Sequence, residues 1–327
     1  MNKAELAGKK VILYPDNYIA RNLLQLQDVL SFNIISIINE LDIKKDKSGG
    51  FNSNITSMME QCDLVLILEN SPKTLLLPPW TEKYDYYLMV LNAAAELGIP
   101  VASPYFELSI PCDTYCRRSI SVDKINDSIL AIIEDNRMVL NEQPSVMVTA
   151  TRKEINIHSV ELKITKALEK YHLPSFIMSS NPISSLLPFD TSINFLKEEY
   201  ADTSPIIIFD GPAQGFPFQT DSNIVDSFNS WDFAELFKPD GVLLAIHSKD
   251  SAEMVKETAE YLNSCGLKVF GLIEEKASNP WFQVYMEGKT GIPVSDLDSS
   301  EQQYKLTSII LNFLSDDIEI LNNKVLK

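Results

Sequence analysis

The stretch VMVTATRKEINIHSVELKITKALEK, residues 146–170, has the outline of a strand, a turn and a helix that together hold a phosphate. Such a turn works through three parts. Glycines let backbone N–H groups turn inward, a lysine neutralises the outer phosphates, and a Ser or Thr hydroxyl holds Mg²⁺. Here Ala150-Thr151 stands where Gly-Thr is common, Asn156 where the second glycine belongs and Ile157 where the lysine belongs. Ser159 remains as a hydroxyl. Exchanging Lys for Ile removes a charge that matters most in a partly desolvated site. Ala and Asn resist positive φ, Asn less so. Arg152 and Lys153 lie in the turn and, with the helix N-terminus, are candidates to meet an anion. Three readings stand at this point: a turn without nucleotide, which is the expectation, a site for another anion, and retained ATP binding.

Other residues invite chemistry at the ends of apolar runs. Asp210 closes PIIIFDG, either as a catalytic or ligand-facing acid or as a turn cap. His247 closes GVLLAIHS, and would sit near Asp210 if the two strands were neighbours, giving a pair suited to proton transfer. Its plainer role is a hydrogen-bonded structural histidine. Asp16 and Asn17 follow KVILY, and Glu69 and Asn70 follow DLVLIL, so they could line a small-molecule cleft or serve as turn residues. The loop GPAQGFPFQ, 211–219, carries Gln214 and two phenylalanines. It could hold a peptide or pack as a lid. Cys112 and Cys116, in PCDTYC, lack nearby histidines; structural thiols are expected ahead of a redox pair or a metal half-site. No Gly-x-Ser-x-Gly elbow is present, and YPDNYIARN after the first strand lacks the glycines of a dinucleotide site.

Strands alternating with helices must position these residues. The apolar runs at 10–14, 33–39, 63–70 and 99–105 read as strands, with helices at 19–30, in ITSMMEQC and at 84–98. A helix over 123–142 leads to Pro144. The second half repeats the pattern, with strands at 145–150, 175–180, 205–211, 241–248 and 267–275. Its helices are expected at 157–171, near 191–200, at 250–266 and at 300–317. Alternation implies parallel pairing. The reading is an α/β protein of two domains: 1–140, a Rossmann- or flavodoxin-like sheet, and 141–327, a sheet like that of P-loop NTPases. Two aromatic patches, LLPPWTEKYDYY with Trp80 and NPWFQVYM with Trp281 and Phe282, are read as core or as subunit contacts.

The bulk numbers bound the partners. Net charge is −17, from 28 basic and 45 acidic residues, and no Lys/Arg stripe with interleaved aromatics occurs. Such a surface repels nucleic-acid phosphates and anionic lipid. No apolar run is long enough for a membrane helix and the start of the chain has no signal-peptide pattern, so a cytoplasmic location is expected.

The frame Ala-Thr-x-x-x-x-Asn-Ile-x-Ser at 150–159 resembles the Gly-Thr-x-x-x-x-Gly-Lys-x-Thr of P-loop proteins of the dethiobiotin-synthetase-like and DUF1611 type. IIIFDGPAQG, 206–215, resembles that family's strand ending in an acid and a glycine before a Gln-Gly loop. The resemblance implies that Asp210 stands at the acid that assists Mg²⁺ or substrate, with Gln214 in the loop, and that a Rossmann-like domain precedes. The worn loop is similar to that of peptide maturation system proteins, encoded beside radical SAM enzymes and small precursor peptides in bacterial ribosomal-peptide gene clusters. That likeness implies a non-catalytic accessory protein without a cofactor, whose partner is a precursor peptide or a radical SAM enzyme. The alternative it implies is a DUF1611-like ligase or acyltransferase that uses ATP and Mg²⁺ or an acyl donor through Asp210 and Ser159. A third expectation is a homo-oligomeric scaffold, such as a homodimer, whose ligand is a protein.

Overall fold

The computed structural model describes residues 6–39, 53–68, 82–104, 107–109, 116–118, 143–152, 154–179, 186, 205–211, 238–276 and 279–314. The chain divides into two compact units, Met1–Ile125 with Pro182–Asp190, and Asn126–Asn181 with Thr191–Lys327. Each is built on a parallel sheet, as the alternation requires.

In the first unit, β1 (Lys10–Tyr14), β2 (Asn33–Ile37), β3 (Leu64–Ile67) and β4 (Val101–Ala102) form a sheet in the order β2-β1-β3-β4, all neighbours parallel. The helices are α1 (Tyr18–Gln25), α2 (Ser53–Met59) and α3 (Glu82–Glu96). β1 and β3 are apolar runs buried on both faces, the pattern of interior parallel strands. Ile19, Ala20 and Leu23 of α1 and Val90, Leu91 and Ala94 of α3 close the core, joined by Leu186. A short antiparallel pair, β5 (Glu107–Ser109) with β6 (Cys116–Arg118), is not legible as a pattern in the sequence. Cys116 lies on β6, whereas Cys112, Trp80, the 123–142 helix and the 191–200 helix fall outside the described residues.

The second unit holds β7 (Ser145–Ala150), β8 (Ser175–Met178), β9 (Ile206–Asp210), β10 (Gly241–Ile246), β11 (Val269–Glu274) and β12 (Val294–Asp296). Their order is β12-β11-β10-β7-β9-β8, and every pair is parallel. The helices are α4 (Ile157–Lys170), α5 (Ala252–Ser264), α6 (Pro280–Thr290) and α7 (Ser300–Phe313). From β7 the chain winds to one side through β8 and β9, then to the other through β10, β11 and β12. Right-handed crossovers in opposite directions put their helices on opposite faces. α4 accordingly packs against α7, and α5 against α6. Ile207 and Phe209 belong to the core beneath α5 and α6. Strand alternation therefore turns Asp210 toward α4. β7 is the switch point, where open α/β sheets bind ligands.

Candidate functional site

The turn from β7 to α4 has the outline of a phosphate turn, and the expectation was that it holds no nucleotide. Thr151, Arg152 and Asn156 lie in it and Ser159 in the first turn of α4, while Lys153 falls outside the described residues. Asn156 is completely buried and caps α4: its side chain accepts from the Ser159 N–H at 3.2 Å. A short polar side chain at this position satisfies a helix donor locally, which explains Asn where a phosphate turn has Gly. Ile157 begins α4 and is buried, so an apolar side chain replaces the lysine and points inward.

Among the described residues, three donors of this turn already have carboxyl partners within the chain. Asp250, with a fully buried side chain, accepts from the Thr151 hydroxyl at 2.5 Å, from Arg152 Nε and from the His247 N–H at 2.8 Å. The hydrogen bond to Asp250 holds the Arg152 guanidinium above its ordinary pKa. Arg152 Nη2 also reaches the Lys249 carbonyl at 3.4 Å. The Asn156 N–H donates to Glu275 Oε1 at 3.3 Å. Glu275 stands just beyond β11, and alternation sends its neighbour Glu274 to the opposite face. Arg152 was one candidate to meet an anion. The anion is Asp250.

His247 does not pair with Asp210. β7 lies between β10 and β9, so the two residues sit on strands that are not neighbours. The His247 ring instead accepts from the Lys249 N–H at 3.1 Å, and its carbonyl accepts from Asp250 N at 2.9 Å. This is the structural histidine of a turn. The imidazole that feels Asp210 belongs to His158, the second residue of α4. His158 follows Ile157 directly, one residue before Ser159. Its Nδ1 is 3.0 Å from Glu161 Oε2, and both side chains are buried. Burial pulls His158 below its ordinary pKa against the opposing charge of Asp210, and burial holds the Glu161 carboxyl well above its own. Burial thus disfavours the charged form of both groups, which favours a neutral hydrogen bond over an ion pair at this contact. Glu161 Oε1 has no hydrogen-bond partner. Gly211 lets β9 end tightly against β7, since a Cβ there would meet Met147 Sδ at 2.9 Å and Thr149 Cβ at 3.1 Å.

Sequence reasoning missed Glu161, Asp250 and Glu275. The available signals were an acid three residues after His158 on one helix face and acids just past two apolar strands. Gln214 falls outside the described residues. Among the described residues, no group of three or more His, Cys, Asp or Glu is placed to hold a metal ion.

The candidates of the first unit form a different kind of turn. Asn17 caps α1, accepting from Ala20 N at 2.9 Å, and its amide donates to the Leu68 carbonyl at 2.9 Å. Asp16 pairs with the exposed Arg21 at 2.8 Å. Glu69 falls outside the described residues. No described helix is long and apolar enough to cross a membrane.

No protein-family model and no curated protein matches the chain. Among solved structures, the chain is similar to a DUF1611 family protein from Anabaena variabilis, at 11% identity and TM-score 0.53, covering 95% of this chain and 99% of that one. That likeness shows a shared fold over nearly the whole length. A variant of SsGBP (14% identity, TM-score 0.41, 95% and 98% covered) and chloroplast FtsY from Physcomitrella patens (10%, 0.33, 90% and 96%) align more loosely.

Proposed function

We propose that this chain is a non-catalytic binding protein serving the maturation of a ribosomally made peptide, on a scaffold of P-loop type that takes no nucleotide. One observation carries the loss of the nucleotide: Asp250 and Glu275 already occupy the Thr151 hydroxyl, Arg152 and the Asn156 N–H of the β7–α4 turn. A phosphate entering there would meet carboxyl groups where it needs donors. Displacing Asp250 would leave its buried charge unpaired, at about 3–5 kcal/mol. That corresponds to roughly two to four orders of magnitude in affinity. The role in peptide maturation rests on the resemblance of residues 150–159 and 206–215. The expected cytoplasmic location and peptide or radical SAM partner belong to the same proposal.

Calorimetric titration with ATP–Mg²⁺ tests it. The expected result is no saturable heat up to about 1 mM, the weak end of specific binding. Micromolar binding that Asp210→Ala abolishes would replace this reading with the DUF1611-like ligase or acyltransferase.

A further inference from the structure

The outer face of α6 is apolar and aromatic. Trp281 is 78% exposed, Val284 64% and Tyr285 49%. Their spacing, i, i+3 and i+4, aligns them in one stripe. The inner face of the same helix is firmly anchored. Gln283 donates to Glu274 Oε2 at 3.1 Å and to Asp296 Oδ2 at 2.7 Å, and Met286 is buried in the core. Asn279 caps the start, Pro280 opens the first turn and Gly291 ends it in the left-handed conformation. An anchored helix thus presents three large apolar side chains that the described residues of its own unit leave exposed.

The surroundings select an occupant by charge. α5 packs beside α6 on the same face of the sheet. Its exposed residues include Glu253, Glu257 and Glu260 against Lys256, a local balance of −2 that adds to the chain's −17. Two copies of so acidic a chain repel each other. Trp and Tyr rings attract Lys and Arg at their faces, and such residues dominate the energetics of interfaces. We infer that the α6 stripe, flanked by the acidic α5, is a docking surface for a positively charged peptide with apolar anchors. This rests on the binding-protein reading above and adds to it a surface and a partner chemistry.

The test uses the full chain and a fluorescein-labelled amphipathic Lys/Leu peptide, with a Glu/Leu peptide of equal length as comparison. Fluorescence anisotropy at physiological ionic strength should show the Lys/Leu peptide binding at least about tenfold more tightly. Trp281→Ala with Tyr285→Ala should weaken it about tenfold or more, the size expected of central aromatic anchors. The melting temperature should be unchanged, because both side chains are exposed. Glu253→Gln with Glu257→Gln should weaken binding a few-fold and flatten its salt dependence. Equal binding of both peptides would overturn the inference. So would full affinity in the aromatic double variant, which would mean generic attraction to an acidic protein. A wild-type dimer in sedimentation that the same variant dissolves would give the face to a second copy and also overturn it. Failure here with no nucleotide binding removes the surface alone. Saturable ATP binding removes the functional reading, whatever the peptide does.

Discussion

The turn after β1 and the turn after β7 stand at equivalent places, each at the carboxyl end of the strand where its sheet reverses winding direction. Both carry an asparagine that caps the following helix. They differ in where their charges lie. Asp16 and Arg21 pair at the surface, with Arg21 66% exposed. Asp250, Glu161 and Asp210 are buried. An exposed pair is screened and contributes little, whereas a buried carboxyl must be matched by donors or stay neutral. The first turn shapes the chain. The second holds a closed network where a ligand site would be.

Removing one acid from each turn should separate them most. Asp250→Ala strips the Thr151 hydroxyl, Arg152 and the His247 N–H of their common acceptor, and should cost about 2–3 kcal/mol in urea unfolding. Asp16→Ala should cost no more than about 1 kcal/mol. Equal losses would break the comparison.

The caps come next. Asn156→Ala should cost about 1–2 kcal/mol and Asn17→Ala about 1 kcal/mol, read from the same denaturation curves, with Asn156 the larger because it is wholly buried.

The last effect is visible only against pH. Glu161 is raised, so as pH climbs above the ordinary carboxyl range the unfolded chain releases a proton that the folded chain keeps, and stability falls. His158 is lowered, so stability is lost instead as pH falls through the ordinary histidine value. Glu161→Gln removes the first effect alone. Its stability relative to wild type should rise as pH climbs above the ordinary carboxyl range, by ~1.4 kcal/mol for each unit of displacement. A difference that does not change with pH would mean that Glu161 is not held neutral. Arg21→Ala, the matching change in the first turn, should show no such trend.

The parallel sheets were legible because runs such as VILY, LVLI and SVMVTA are buried on both faces, and such runs leave few alternatives. The hairpin β5–β6 and the helix α6 were not. The strands of the hairpin are only three residues long. α6 has apolar residues on its outer face as well as its inner one, which blurs the helical period. The missing lysine at Ile157 and the loss of glycine at Asn156 were read directly, since a residue type either can or cannot supply a charge or a positive φ. What replaced them was not readable.

The sequence by itself therefore determined the class of fold, the places where strands end, and the absence at Ile157 of the charge a polyphosphate needs. Only the tertiary structure decided which acid meets which donor. Asp250 lies 98 residues from Arg152 and Glu275 lies 119 from Asn156. Strand order brings β10 beside β7 and keeps β9 from β10, so His247 lost Asp210 and His158 gained it. Local pattern fixes which face a residue takes, because the strand period is two. Which neighbour waits on that face depends on strand order, and that is set by how the whole chain buries its apolar surface.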